Sequence, residues 1–275
     1  MCELFAVSSA HPARVRLRFA AFATHGASVV GGNPDGWGAA YYDGPDAHVL
    51  REPVPAVRSS FVQVLEGHDF HSPLVLSHVR RASRGPVALA NTQPFSREMA
   101  GRRHVFAHNG DLPDIDQLWP LEPGCWTPVG QTDSEHVFCQ LLRALAPLWR
   151  EPGVVPSVQA RLDVVAAFAA RLRPVGPVNF LYADGDALFA HAHRRHQADG
   201  TIRPPGLHLL LREPALQHSV EVDGLHVDSG NARAHAMAML ASVPLGRGNW
   251  RPLPQGSVLA LRGGEVVASS AGGLL

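Results

Sequence analysis

Apolar positions recur along this chain with two periods, two residues and about 3.6 residues, and the period in force at each point predicts the element there. Leu4-Phe5-Ala6-Val7 is an unbroken apolar run, so Cys2 to Val7 reads as a strand buried on both faces. Ala13 to Phe22 interleaves apolar residues with Arg14, Arg16 and Arg18 and reads as a short helix with an Arg-rich exposed face. His25-Gly26, Gly31-Gly32-Asn33-Pro34 and Asp35-Gly36-Trp37-Gly38 are dense in turn formers. Trp37 to Tyr42 and Ala47 to Leu50 flank Asp43-Gly44-Pro45-Asp46, the pattern of a hairpin. Val57 to Leu65 reads as helical. Pro73 to Val79 reads as a strand that delivers Arg80 into a loop from Arg81 to Phe95. His104 to His108 is a further strand, stopping at Asn109-Gly110.

Thr132-Asp133-Ser134-Glu135 has the spacing of a capping box, and Val137, Phe138, Leu141, Leu142 and Leu145 follow at helical spacing. A second helix runs from Ser157 to Leu172, ended by Pro174. Six strands are then expected: Val178 to Tyr182, Ala187 to His191, Leu207 to Leu211, His235 to Ser242, Val258 to Leu261 and Glu265 to Ala268. Ala198 to Pro205 is a surface loop and Ala271-Gly272-Gly273 a mobile tail. Strands, two central helices, then strands predict one α+β domain with sheets packed on helices.

Composition narrows the functional classes. With 45% apolar and 17% charged residues the chain has a globular profile without a disorder signature. A formal net charge of zero gives no reason to expect nucleic acid or an anionic membrane as partner. All 24 basic residues are Arg, so chemistry that needs a Lys is excluded. Three cysteines, Cys2, Cys125 and Cys139, form no CxxC pair and suit a reducing, cytoplasmic setting. Cys139 sits in an apolar helical pattern as a small core residue. Glu3 and the early arginines are wrong for a signal peptide, and no run approaches the ~18 apolar residues of a membrane span.

Cys2 follows the initiator methionine. Removal of Met1 leaves a thiol and a free α-amine on one residue, a nucleophile with its own base. Thiol attack on an amide creates an oxyanion, which Asn109 (side chain) and Gly110 (backbone N–H) can receive. Asn109-Gly110 also fits a plain hairpin turn. An amino-acid substrate needs a fork for its carboxylate, which Arg80 offers, and an anion for its ammonium, which Asp133 offers. Arg80 as a surface charge and Asp133 as a helix-dipole partner are the plainer readings.

Taken in order, Cys2, Asp35-Gly36-Trp37-Gly38, Ser77-His78-Val79-Arg80, Asn91-Thr92-Gln93-Pro94-Phe95, His108-Asn109-Gly110 and Thr132-Asp133-Ser134-Glu135 resemble the class II glutamine amidotransferases, the N-terminal-nucleophile type. Within them the chain resembles the stand-alone YafJ-type group, whose relatives include the γ-glutamyl amidase of ergothioneine synthesis and the amidotransferase-like subunit of glutathione breakdown. The motif-bearing part runs from Cys2 to about Leu142.

The resemblance implies a four-layer αββα sandwich, two stacked antiparallel sheets flanked by helices, in one domain over 2–270 with no separate synthase domain. It implies Cys2 as nucleophile, Asn109 and Gly110 as oxyanion hole, Arg80 and Asp133 as clamps for the substrate carboxylate and ammonium, and Ser83 near that carboxylate. The loop 81–95 becomes a mobile lid. The substrate is then glutamine or a γ-glutamyl compound, glutathione-like or ergothioneine-pathway-like. No cofactor is implied, and ammonia passes to solvent or to a separate ammonia-accepting or hydrolase partner protein. A catalytically silent, partner-binding domain of the same fold is the other reading. Asn33 and Gln93 depart from the pattern, which has His at both places, and this bears on substrate preference. His191, His193 and His196 form H-x-H-x-x-H, but no Cys or carboxylate clusters with them, so solvated edge histidines are expected in place of a metal site.

Overall fold

The computed structural model describes residues 2–17, 34–68, 70–124, 126–212, 219–222, 225–228, 235–246 and 248–271. Met1, Asn33, Cys125, the segment 18–33 and the tail after residue 271 therefore lie outside the described residues. In chain order the strands are β1 (Glu3–Leu17), β2 (Trp37–Asp43), β3 (Asp46–Glu52), β4 (His71–Val79), β5 (Phe95–Met99), β6 (Arg102–Gly110), β7 (Val178–Ala183), β8 (Leu188–His191), β9 (Arg195–His196), β10 (Ile202–Arg203), β11 (His208–Arg212), β12 (Ser219–Val222), β13 (Leu225–Asp228), β14 (Met237–Ala241), β15 (Arg251–Pro252), β16 (Val258–Arg262) and β17 (Glu265–Ser269). The helices are α1 (Ser60–Gly67), α2 (Ile115–Leu118), α3 (Asp133–Leu145) and α4 (Val158–Leu172).

Two antiparallel sheets dominate. The first runs β15-β11-β14-β1-β4-β2-β3, with β13 and β12 added along the far end of β1. The second runs β17-β16-β8-β7-β6-β5. Leu4, Ala6, Leu74 and Leu76 of the first sheet meet Val105, Ala107, Leu181 and Ala190 of the second in one dry layer. The outer face of the first sheet, with Phe5, Val7 and Trp37, is covered by Val62 and Leu65 of α1. The outer face of the second, with Phe106, Phe180 and Phe189, is covered by Val137 and Leu141 of α3 and by Leu162 and Phe168 of α4. The architecture is thus α+β, in the layer order helix, sheet, sheet, helices. β1 is buried on both faces, which is why Leu4 to Val7 are all apolar.

The 13–22 segment differs from the expected helix. Residues 13–17 continue β1, where Ala13 faces Ser72 and Arg14 faces His71 of β4. Ala13 and Val15 are buried, so the apolar–Arg alternation has the period of a strand. The rest of that segment lies outside the described residues. Asn109-Gly110 is also not a turn: β6 runs on through it, with Asn109 opposite Asn179 and Gly110 opposite Val178 of β7. The 198–205 loop folds back, pairing β10 on β9.

The helix ends follow their signals. Thr132 Oγ1 accepts from the Glu135 N–H (3.2 Å), and Ser157 Oγ from the Ala160 N–H (3.2 Å). The capping box at α3 is half made. Glu135 accepts instead from Arg97 Nη2 (2.6 Å) and the Gly130 N–H (2.7 Å). Cys139 is buried in α3, and burial pushes its thiol up to about 11.

Candidate active site

Cys2 stands directly before β1, the central strand of the first sheet, and is half-buried. Its thiol donates to the Arg81 carbonyl (3.3 Å) and its sulfur accepts from the Arg81 N–H (3.2 Å). Burial pushes the thiol pKa up, opposed by the Arg81 N–H and by the charge of Arg80. A standing thiolate is therefore disfavoured, and a base is needed during attack.

The turn before β2 positions the 80–82 segment. The Arg80 N–H donates to the Gly36 carbonyl (2.8 Å), and the Ala82 N–H donates to Asp35 Oδ2 (2.7 Å). Gly38 has no room for a side chain, because a Cβ there would overlap the Gln93 carbonyl. The Asp35-Gly36-Trp37-Gly38 motif thus clamps one foot of the 81–95 loop and seats the other. Arg80 is 3% exposed. Its guanidinium donates to the carbonyls of Arg84 (3.0 Å), Gly85 (3.3 Å) and Pro86 (3.2 Å), and no carboxylate of the described residues pairs with it.

Asn109 enters from the second sheet. Its Nδ2 donates to the Cys2 carbonyl (2.6 Å) and lies 3.4 Å from Ser242 Oγ. Ser242 also accepts the Leu4 N–H (3.0 Å), so it ties Asn109 to the start of β1. Gly110 follows in a position where a Cβ would overlap the Pro177 carbonyl. Asp133 heads α3. Its Oδ2 accepts the Leu112 N–H (2.9 Å) and its Oδ1 the Ser134 N–H (2.9 Å), so it grips the chain just beyond Gly110. Arg84 of the loop pairs with Asp111 (2.9 Å), closing the loop across the same segment.

Cys2, Arg80 and Asn109 are thus brought together directly, with Gly110 and Asp133 joined through β6 and its continuation. Ser83 is not drawn in: it is exposed and hydrogen-bonded to nothing among the described residues. Sequence reading missed Ser242, Asn179 and the Glu3–Arg195 pair. Asn179 Nδ2 donates to the Asn109 carbonyl (3.1 Å), and a lone Asn inside the apolar run 178–183 was the available signal. Glu3, directly after Cys2 in the chain, pairs with Arg195 (3.1 Å), and both are buried. Ser242 follows an apolar strand with nothing to mark it.

His191 and His193 are not solvated. They are 0% and 5% exposed, with rings 6.3 Å apart, and His191 Nδ1 reaches the Ser257 carbonyl (3.0 Å). Their place on the helix-covered face of the second sheet accounts for this. Among the described residues no group of three His, Cys, Asp or Glu is arranged to hold a metal, and no helix is long and apolar enough to cross a membrane.

Residues 1–272 match the sequence profile of the family described as glutamine amidotransferases class-II. YafJ of Escherichia coli (strain K12), which carries a glutamine amidotransferase name, is 33% identical over 258 residues, 93% of this chain and 95% of its own. A crystal structure of a predicted glutamine amidotransferase from Pseudomonas aeruginosa PA01 superposes with a TM-score of 0.71 at 30% identity, covering 97% of this chain and 100% of that one. The glutamine phosphoribosylpyrophosphate amidotransferase of B. subtilis matches at TM-score 0.56 and 13% identity, over 100% of this chain and 50% of that one, a likeness of fold alone.

Proposed function

The chain belongs to the class-II glutamine amidotransferases, and on that premise we propose that it hydrolyses the γ-amide of glutamine or of a γ-glutamyl compound through Cys2. The observation that carries the reading is the convergence on Cys2. Asn109 Nδ2 lies 2.6 Å from the Cys2 carbonyl, and the buried Arg80 guanidinium is hydrogen-bonded only to loop carbonyls among the described residues.

In this reading Met1 is removed and the α-amine of Cys2, with an ordinary pKa of about 7.7–8.0, takes the thiol proton. Sγ bonds to the amide carbon, and the oxyanion is received by Asn109 Nδ2 and the Gly110 N–H. Collapse breaks the C–N bond, the α-ammonium returns its proton to the leaving nitrogen, and ammonia departs. Water attacks the γ-glutamyl thioester, releasing glutamate and the thiol. Arg80 exchanges loop carbonyls for the substrate carboxylate, near Ser83, while Asp133 holds the ammonium. These clamps read only the glutamyl end, so they accept glutamine and γ-glutamyl amides alike. Ammonia passes to solvent or to a separate protein. The domain spans 2–270 and works in the cytoplasm.

The test is glutamate release from glutamine, glutathione and other γ-glutamyl amides by the processed chain. Turnover on at least one, lost in Cys2→Ala and in a chain with an N-terminal extension, is expected. No turnover on any, or equal rates with a blocked amine, overturns the reading.

A further inference from the structure

Gln93 is 4% exposed at the second foot of the 81–95 loop. Its Oε1 accepts the His108 N–H (2.6 Å) and its Nε2 donates to the His108 carbonyl (3.1 Å). β5 and β6 are in register at Phe95 and Phe106, so the next position opposite His108 belongs to residue 93. The backbone ladder stops at Phe95, and the Gln93 carboxamide completes it with the donor and acceptor of a peptide group. The base of that side chain is fixed from the first sheet. Arg51 of β3 donates to the Thr92 carbonyl (2.8 Å), and the Gln93 carbonyl backs onto Gly38 of β2. From His108 the contacts continue, Nδ1 to Ser134 Oγ (2.9 Å) and Ser134 Oγ to Asp133 Oδ1 (3.4 Å).

We propose that Gln93 is a positioning residue, which sets the end of β6 so that Asn109 and Gly110 present their donors to the reacting carbonyl. The proposal rests on the reading of those two residues as the oxyanion hole. A donor displaced from its place weakens transition-state binding and leaves ground-state binding alone, so the loss should fall on kcat.

Gln93→Met, matched in size and without hydrogen bonds, should lower kcat by about tenfold to a hundredfold, with KM within about threefold. Gln93→Glu gives a sharper readout. When protonated, its carboxyl both accepts from the His108 N–H and donates to the carbonyl, as the amide does. When ionised, it sets an anion against that carbonyl. The ratio of its kcat to that of the unsubstituted enzyme should rise as the pH falls from about 8 to about 5, while the KM ratio stays flat. A pH-independent ratio, or a loss confined to KM, overturns the proposal. If the unsubstituted chain turns over no γ-glutamyl amide, the functional reading fails by itself. The placement of the end of β6 by Gln93 is then judged separately by hydrogen exchange: faster exchange that extends from the His108 amide to those of Asn109 and Gly110 in Gln93→Met upholds that placement, and exchange unchanged at Asn109 and Gly110 overturns it.

Discussion

The side-chain nitrogen of Asn109 is anchored on the main-chain oxygen of Cys2, 2.6 Å away, so the two sheets are tied together at Cys2. An amide nitrogen carries two hydrogens. One is held by Cys2, and the second faces Ser242 at 3.4 Å, a distance weak enough to yield to an oxyanion. Asn109→Ala should therefore cut kcat by about 10²–10³, with a smaller change in KM. Steady-state kinetics on glutamine checks this, and a loss confined to KM would place Asn109 in substrate binding instead.

Gly38→Ala should be felt in the 81–95 loop. Its Cβ would overlap the Gln93 carbonyl and lie 2.9 Å from the Leu50 carbonyl, both backbone atoms that cannot swing aside. We expect a stability loss of about 1–3 kcal/mol, as for overpacked cores, together with reduced kcat. Urea unfolding and turnover on the same preparation report the two effects. Unchanged values for both would mean that the 92–94 segment has slack.

Acid should destabilise the fold earlier than its carboxylates alone require. Burial holds His78 down to about 3, reinforced by the charges of Arg80 and His108, and holds His191 to about 3 and His104 to about 4. Unfolded histidines titrate near 6.5, so between there and about 4 the unfolded chain binds more protons. Stability is then full above about pH 6.5 and falls with decreasing pH, by up to about 1.4 kcal/mol per pH unit for each such histidine. Neither ring nitrogen of His78 has a hydrogen-bond partner among the described residues, so His78→Leu should be tolerated and should make the acid slope shallower. Melting curves across this range test it, and an unaltered slope removes His78 from the account.

Arg161 of α4 is fully buried and pairs with Asp184 and Asp186, each at 2.6 Å, on the turn between β7 and β8. Its guanidinium also lies over the Phe189 ring, 5.5 Å from the centroid. Arg161→Ala strands the buried Asp184 carboxylate and should cost about 3–5 kcal/mol. Denaturant midpoints measure this, and a loss below about 1 kcal/mol would mean that water reaches Asp184.

The sequence carried the strands that are apolar throughout or nearly so, such as 4–7 and 178–182 with its lone Asn179, and the helices that begin at Thr132 and Ser157. It did not carry β5. Phe95-Ser96-Arg97-Glu98-Met99 has apolar residues only at its ends, and its pairing with β6 is set by tertiary contact. The 13–17 segment failed for a different reason: a short apolar–Arg alternation fits either period until a neighbouring strand selects one. At the candidate site, Cys2, Arg80 and Asp133 stood out in the sequence because each carries a thiol or a charge, and Asn109-Gly110 stood out only within the ordered set of motifs. Ser242 and Asn179 act only by holding other residues, and Gln93 showed in the sequence only as a departure from pattern. Its bond to His108 is a matter of register, which no spacing in a linear chain displays.

β1 has a further consequence, in time. Phe5 lies between Ser77 of β4 and Ala241 of β14, so the strand that follows Cys2 is completed by a strand far along the chain. Such long-range pairing folds slowly. A chain arrested before residue 237 would therefore keep Cys2 and lack the β14 neighbour that completes β1 on one side.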